Sequence, residues 1–274
     1  MSNAIIPPMV YTDYHMHSPL CGHATGSPEE YVKQGLKAGL KEMGFSDHAP
    51  MVHQRMPGIT MDFHELTIYQ QMIEDVQKRF VSQMSIKIGL ETDFIPGYEA
   101  KTKEIVTSYP YDYIIGSVHF IDDWAFDDPS TREYWKKHDV NEVYRKYYAL
   151  LRQSAKTGLY DIIGHCDLPK KFGARPNVDL TDEIKATAKV FKETGVTIEI
   201  NTAGLRKPIA EMYPAPHCLK IYCETGVPLT FGSDAHDPQD VGKDFDKAYA
   251  LAKLAGYTEY LTFKQRKVEK RIKL

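Results

Sequence analysis

Histidine and carboxylate side chains recur in this 274-residue chain at short, regular spacings. His15-Met16-His17 places two imidazoles two residues apart, and Asp234-Ala235-His236 repeats that spacing with a carboxylate and an imidazole. Side chains two residues apart lie on the same face of an extended strand, so each pair can reach one ion. Imidazoles and carboxylates suit zinc, manganese or iron, and the sequence has no CxxC pair typical of a structural zinc site. This spacing predicts a metal centre.

Ionisable or amide side chains also follow the remaining predicted strands. They are Asp47, His48, Glu91, Asp93, His119, His165, Asp167, Glu199 and Asn201. Taken alone, each motif is weak evidence, and His119 by itself would be interpreted as a hydrogen-bonded core histidine. Unrelated core histidines have no reason to fall repeatedly at strand ends, so the joint pattern indicates one site, to which His23 is added from the first loop. His53, His64, His138 and His217 lie outside this pattern and are interpreted as structural or surface residues.

The elements that must position these residues alternate along the chain. Short β-type runs are predicted at residues 9–15, 41–46, 85–90, 113–118, 160–164, 196–200 and 228–231, with helical segments between them. The first helix opens at Ser27, where Pro28 suits the first turn and Glu30 completes a capping box. Further helices are predicted near residues 64–80, 100–108 and 140–157. This alternation implies parallel strands joined by right-handed crossovers.

A barrel of parallel strands would bring these strand ends together. The carboxyl ends of such strands converge on one face, where active sites lie, and about 250 residues is an ordinary barrel length. No linker or low-complexity stretch divides the sequence. We therefore expect an α/β barrel formed by a single domain over residues 1–274.

The composition excludes several other classes of protein. The net charge of −3 argues against binding nucleic acid through its backbone, and no apolar run is long enough to span a bilayer. The basic tail at residues 264–274 is interpreted as a solvated terminal element. The four cysteines show no framework pattern, and residues 1–10 lack the features of a secretory signal, so we expect reduced thiols in a cytoplasmic protein. No pattern indicates an oligomeric state.

Longer motifs resemble the polymerase-and-histidinol-phosphatase family, in its histidinol-phosphatase branch. They are the HxH start, GFSDHAP (44–50), GLETDF (89–94), GSVHF (116–120), IGHCDLPKKFG (163–173), NTAGLRKP (201–208) and GSDAH (232–236). The resemblance covers almost the whole chain, and the motifs occur in the same order as in the family. It implies a distorted seven-stranded (β/α) barrel and a centre of three divalent ions of zinc, manganese or iron.

The resemblance also implies which residues bind each ion. The first ion would take His15, His17, Glu91 and Asp234, and the second would share Glu91 and add His119 and His165. The third would take His23, His48 and His236. Asp47, Asp93 and Asp167 neighbour these ligands and are expected to orient imidazoles rather than to bind metal.

The implied reaction is hydrolysis of L-histidinol phosphate to L-histidinol and inorganic phosphate. The candidate catalytic residues are Glu91, Arg206 and Asp167. Arg206 is the first candidate for binding the phosphate, followed by Lys170 and Lys171, although a lysine pair also suits a solvated loop. Asp167 is the candidate proton donor. Phe120 and Trp124, in the segment FIDDWAFDD (120–128), could contact the imidazole of the substrate, but the segment equally suits an ordinary amphipathic loop.

Two alternative functions remain open. A phosphoesterase of the same family that acts on nucleotides or nucleic-acid ends should show a basic track beside the metals, which the net charge and the acidic 122–128 segment disfavour. A metal-binding accessory protein without catalytic activity is the second alternative, and the complete ligand set disfavours it. The partner that we expect is therefore a small phosphate monoester, with no nucleic acid and no membrane.

Overall fold

Seven parallel strands form the framework that positions the polar strand ends. The computed structural model describes residues 11–274, so the expected lack of a signal at residues 1–10 and the start of the first predicted strand lie outside it. The strands are β1 (Tyr11–Asp13), β2 (Leu40–Phe45), β3 (Ser85–Asp93), β4 (Tyr113–Ser117), β7 (Ile162–Ile163), β8 (Thr197–Asn201) and β9 (Leu229–Gly232). They pair in the order β1-β2-β3-β4-β7-β8-β9.

The last strand returns to the first and nearly closes the barrel. The backbone N–H of Tyr14 donates to the carbonyl of Phe231 at 3.1 Å, and that of His17 donates to the carbonyl of Ala235 at 2.9 Å. These bonds bring the Asp234 segment next to the His15 segment, although more than two hundred residues separate them in the chain. The expected seven-stranded α/β barrel is therefore confirmed.

Helices follow the strands and cover the barrel. They are α1 (Pro28–Lys37), α2 (Leu66–Phe80), α3 (Glu99–Val106), α4 (Val140–Lys156), α5 (Thr181–Thr194), α6 (Pro216–Thr225) and α7 (Phe245–Ala255). Ser27 and Glu30 form the predicted capping box at the start of α1. No helix within residues 11–274 is long and apolar enough to cross a membrane.

Two glycines make room for an aromatic ring inside the barrel. A Cβ at Gly44 would lie 2.3 Å from the Tyr113 hydroxyl, and one at Gly89 would lie 2.6 Å from the Tyr113 ring. The Tyr113 hydroxyl donates to the carbonyl of Tyr14 at 2.7 Å, which ties β4 to the end of β1. The ring therefore holds three neighbouring strands in register, and a side chain at either glycine would displace it.

Two hairpins were absent from the predicted elements. Strands β5 (Phe120–Ile121) and β6 (Trp124–Ala125) form a short one beside the carboxyl end of β4. Strands β10 (Glu259–Lys264) and β11 (Lys267–Lys273) form the other, whose Leu261 and Phe263 pack against barrel residues. Strand β11 is largely exposed, as expected for a solvated basic tail.

Candidate metal centre

Glu91 lies at the centre of the histidine cluster and presents a different oxygen to each side. Its Oε2 lies 3.3 Å from Nε2 of His15 and 2.9 Å from Nδ1 of His48. Its Oε1 lies 3.2 Å from Nε2 of His165 and 3.8 Å from Nε2 of His119. Glu91 is 2% exposed, so water does not compete for these oxygens. A carboxylate placed between two sets of imidazoles has the geometry of a bridging ligand.

Asp234 completes the group around the two histidines that follow β1. Its Oδ1 lies 3.2 Å from Nε2 of His17 and 3.8 Å from Nε2 of His15. The backbone of Asp234 has a φ of 52°, a left-handed conformation that is costly for a residue with a side chain. Strain of this kind is typical of functional sites, where the surrounding structure imposes it.

His23, His48 and His236 form a third group on the open side of the cluster. Their ring centroids are 4.6 Å apart for His23 and His236, and 5.3 Å apart for His23 and His48. The ring of His17 stacks on that of His236 at 3.9 Å, so His17 adjoins this group as well as the group around Glu91. The Cys21 thiol lies within 4.8 Å of a ring nitrogen of His23 and of one of His236, close enough for all three to bind one ion. The sequence pattern did not predict this arrangement.

Unpaired buried atoms in the cluster fit a bound cation. Nε2 of His15, Oε2 of Glu91 and Nε2 of His236 are buried and make no contact of hydrogen-bond geometry among residues 11–274, because the imidazoles near Glu91 face its oxygen at unsuitable angles. Buried polar atoms are normally satisfied, so such a group indicates a ligand. Desolvation, together with the charges of His48 and His17, lowers the pKa of His23 to about 4, which leaves its imidazole neutral and able to bind metal. The donor set therefore fits divalent metal ions.

Carboxylates behind the cluster fix the orientation of the imidazoles. Nδ1 of His119 lies 3.0 Å from Asp93, and Nδ1 of His17 lies 3.4 Å from Asp47, as expected of these neighbours. Nδ1 of His15 lies 3.0 Å from both oxygens of Glu199, for which no such role had been predicted. The available signal was its position in β8, one of the strands that end in polar residues. A carboxylate on the second ring nitrogen fixes the tautomer that binds metal.

Asp167 and Lys170 do not face the metal cluster, which corrects their predicted roles. The Lys170 ammonium is 2% exposed and lies 2.8 Å from Asp167 and 2.9 Å from Glu211, and it donates to the Met212 carbonyl at 2.6 Å. Asp167 also accepts the backbone N–H of Ala215 at 2.7 Å. Both residues line a separate cavity behind the barrel wall, so they are poorly placed to donate a proton or to bind phosphate.

Trp124 also lies away from the cluster, because of strand alternation in the short hairpin. Phe120 pairs with Ala125 across the hairpin, and both residues line the cavity over the metal cluster. Trp124 precedes Ala125 and therefore points to the opposite face. There its ring stacks on His138 at 4.3 Å, and its Nε1 donates to Thr131 at 3.1 Å. Phe120 thus stays a candidate for substrate contact, and Trp124 does not.

Arg206 is held beside the cavity rather than in its wall. Its Nε lies 3.0 Å from Asp240, and its Nη2 donates to the carbonyl of Ser233 at 2.6 Å. Its Nη1 has no hydrogen-bond partner among the described residues. The arginine therefore braces the segment that carries Asp234, a different place from the substrate contact that the sequence suggested.

The cavity over the cluster has a volume of about 360 Å³ and a wall of mixed character. Lys171 lines it, as predicted for a phosphate-binding candidate, and its ammonium lies 2.9 Å from Asp127. Lys207, Asp127 and the apolar side chain of Met51 also line it, although none had been predicted. Lys207 follows Arg206 in the NTAGLRKP motif, and that adjacency was its only sequence signal. The wall of the cavity therefore presents cations, an anion and apolar side chains beside the cluster.

Comparison with known proteins agrees with this geometry. The PHP domain model matches residues 13–203. A probable histidinol-phosphatase from Deinococcus radiodurans is 41% identical over 94% of this chain and 98% of its own length, and the histidinol-phosphatase of Bacillus subtilis is 29% identical over 85% and 96%. A histidinol phosphate phosphatase from Lactococcus lactis, crystallised with zinc, L-histidinol and phosphate, superimposes with a TM-score of 0.83 at 25% identity and covers 95% of this chain and 99% of that one. The chain belongs to the PHP family, in its histidinol-phosphatase branch.

Proposed function

We propose that this protein is a metal-dependent histidinol-phosphatase, which hydrolyses L-histidinol phosphate to L-histidinol and inorganic phosphate. The observation that carries the proposal is the position of Glu91 between two sets of imidazoles at the base of a cavity with cationic and apolar walls. The Lactococcus relative binds zinc, L-histidinol and phosphate together. Such a cavity suits both the phosphate and the imidazole ring of the substrate.

Three divalent ions of zinc, manganese or iron would bind here in the arrangement that the resemblance implies. His15, His17, Glu91 and Asp234 would bind the first, and Glu91, His119 and His165 the second. His23, His48 and His236 would bind the third. Metal ions in such a site polarise phosphoryl oxygens and lower the pKa of bound water towards neutrality.

The residues of the chain would orient the substrate and hold the charges in place. Lys171 would attract the phosphoryl oxygens, and Asp127 would keep its ammonium directed along the cavity wall. Phe120 and Met51 would contact the imidazole ring of the substrate and exclude water from that side. Glu199 and Asp93 would keep His15 and His119 oriented throughout the reaction. Preorganised groups of this kind supply much of the electrostatic stabilisation in phosphoryl transfer.

The ligand positions run from His15 to His236, which supports one domain as the functional unit. Free thiols at all four cysteines support a cytoplasmic setting.

Phosphate release from L-histidinol phosphate, compared with other phosphomonoesters and a phosphodiester, tests the proposal. The metal-loaded protein should prefer histidinol phosphate in kcat/KM, and Phe120→Leu should weaken that preference while generic monoesters react as before. A preference for the diester would contradict the substrate assignment and favour the nucleic-acid alternative. Absence of any phosphate release would contradict the enzymatic role itself.

A further inference from the structure

The cations around the cavity differ in whether a carboxylate already neutralises them. Lys171 is paired with Asp127 at 2.9 Å, and Arg206 is paired with Asp240 at 3.0 Å. Lys207 also lines the cavity, but no carboxylate among residues 11–274 lies within ion-pair distance of its ammonium. Of these three cations, Lys207 is therefore the one whose charge remains available to a ligand.

An unpaired ammonium in a partly buried position is costly. Lys207 is partly buried, and desolvation lowers its pKa despite the charges of Asp234 and Asp127. The positive charges of Lys171 and Arg206 lower its pKa further. A charge removed from water without a partner destabilises the folded protein, so its presence in a cavity indicates that an anion binds there.

The backbone around Lys207 is held firmly, as expected of a residue that must meet a ligand at a fixed point. The N–H of Lys207 donates to the Gly204 carbonyl at 3.2 Å, and the Lys207 carbonyl accepts from the N–H of Ala210 at 2.9 Å. A Cβ at Gly204 would lie 2.0 Å from the carbonyl oxygen of Glu211, so the turn packs directly against the following segment. Arg206 fastens the same turn to Ser233 and Asp240.

We propose that Lys207 binds the phosphoryl group of the substrate, and that Arg206 positions the turn that presents it. This assignment rests on the proposed phosphatase function. The phosphoryl oxygens would supply the negative charge that Lys207 lacks, while Arg206 would stay with Asp240 and Ser233. Lys207 and Lys171 would then approach the same group as a pair, and only Lys171 would carry its own carboxylate.

Calorimetric titration of inorganic phosphate into the metal-loaded protein tests the assignment. Lys207→Met should weaken phosphate binding by about tenfold to a hundredfold, the range expected when a charge-assisted hydrogen bond is lost. Lys207→Arg should restore part of the affinity. Lys189→Met, at an exposed lysine of α5 outside the cavity, is the matched control and should bind phosphate as the wild type does. The metal content of every variant is measured on the same sample and should be unchanged.

Three results would overturn the assignment. Wild-type phosphate affinity in Lys207→Met would remove Lys207 from the phosphate site. Loss of metal from that variant would indicate a structural role. A larger loss of affinity in a folded, metal-loaded Arg206→Lys variant would return the phosphate contact to Arg206. If phosphate binding depends on Lys207 but histidinol phosphate is not hydrolysed, the substrate assignment fails and the Lys207 assignment stands.

Discussion

Both carboxylate oxygens of Glu199 lie 3.0 Å from Nδ1 of His15. The pair is fully buried, and Oε1 of Glu199 also accepts the backbone N–H of His165 at 2.9 Å. One carboxylate thus orients an imidazole after β1 and a second ligand segment after β7. With Nδ1 occupied, the Nε2 atom of His15 is left to face Glu91 and Asp234.

Replacing Glu199 with glutamine should weaken metal binding without removing a metal ligand. An amide presents only one acceptor oxygen, so His15 would lose its fixed tautomer, and metal affinity should fall by about tenfold to a hundredfold. Metal titration followed by elemental analysis measures the change. Glu259→Gln, which affects an exposed pair with Arg271, is the control. Equal metal affinity in the Glu199 variant and the wild type would refute the orienting role.

Phosphate affinity should fall as the pH rises, and the fall should begin at a lower pH than it would if the site held a lysine of ordinary pKa. Burial lowers the pKa of Lys207 below its usual 10.5, and it is faced by Asp234, Lys171, Arg206 and Asp127. The ammonium is present below this lowered pKa and is lost as the pH rises through it, so the inhibition constant of phosphate should rise over that interval.

Lys207→Arg provides the control for this pH dependence, because a guanidinium keeps its proton throughout the range. The alkaline rise in the inhibition constant should flatten in that variant and persist in Lys189→Arg, which changes an exposed lysine of α5. An unchanged profile in Lys207→Arg would assign the titration to another group.

Trp124→Phe should destabilise the protein and leave KM unchanged. The indole packs against Trp135 at 5.0 Å and His138 at 4.3 Å, and its N–H is bonded to Thr131. Phenylalanine loses that hydrogen bond and part of the stack, which should cost about 1–2 kcal/mol of unfolding free energy. Denaturant unfolding and steady-state kinetics separate the two effects. A raised KM with unchanged stability would restore Trp124 to the substrate site.

The C-terminal hairpin should contribute stability rather than catalysis. Arg266, in the turn between β10 and β11, forms an ion pair with Asp161 and donates to the Leu159 carbonyl at 2.6 Å, next to the amino end of β7. Arg266→Ala should lower the unfolding free energy by about 1–3 kcal/mol. The value of kcat should not change, since the metal cluster lies at the carboxyl ends of the strands. A fall in kcat without loss of stability would contradict this division.

Local patterns in the sequence predicted an α/β barrel and the histidine and carboxylate side chains that gather at its strand ends, and the family resemblance supplied the seven strands and the grouping of the ligands. His15 and His17 share a face simply because side chains alternate along a strand. A parallel barrel brings its strand ends together whatever the sequences of its helices. The positions of His119 and His165 near Glu91 follow from that topology without further information.

Contacts between distant segments could not be predicted in the same way. Lys170 and Lys171 are adjacent and chemically alike, and only the turn after β7 directs one towards Glu211 and the other into the cavity. Trp124 and Ala125 point to opposite faces of the hairpin formed by β5 and β6. This hairpin is too short to give a periodic signal in the sequence. Arg206 was the predicted phosphate contact and Lys207 was not a candidate, because the ion pair between Arg206 and Asp240 has no signal in the sequence.

Metal removal and return, followed by phosphate release from L-histidinol phosphate, tests the central claim most directly. Chelation should abolish release, and adding back zinc, manganese or iron should restore it in proportion to bound metal, up to about three ions per chain. Glu91→Gln should bind less metal and lose roughly a hundredfold or more in kcat/KM at every loading. Full activity in the stripped protein, or in a metal-free Glu91→Gln variant, would contradict a metal-dependent phosphatase built around Glu91.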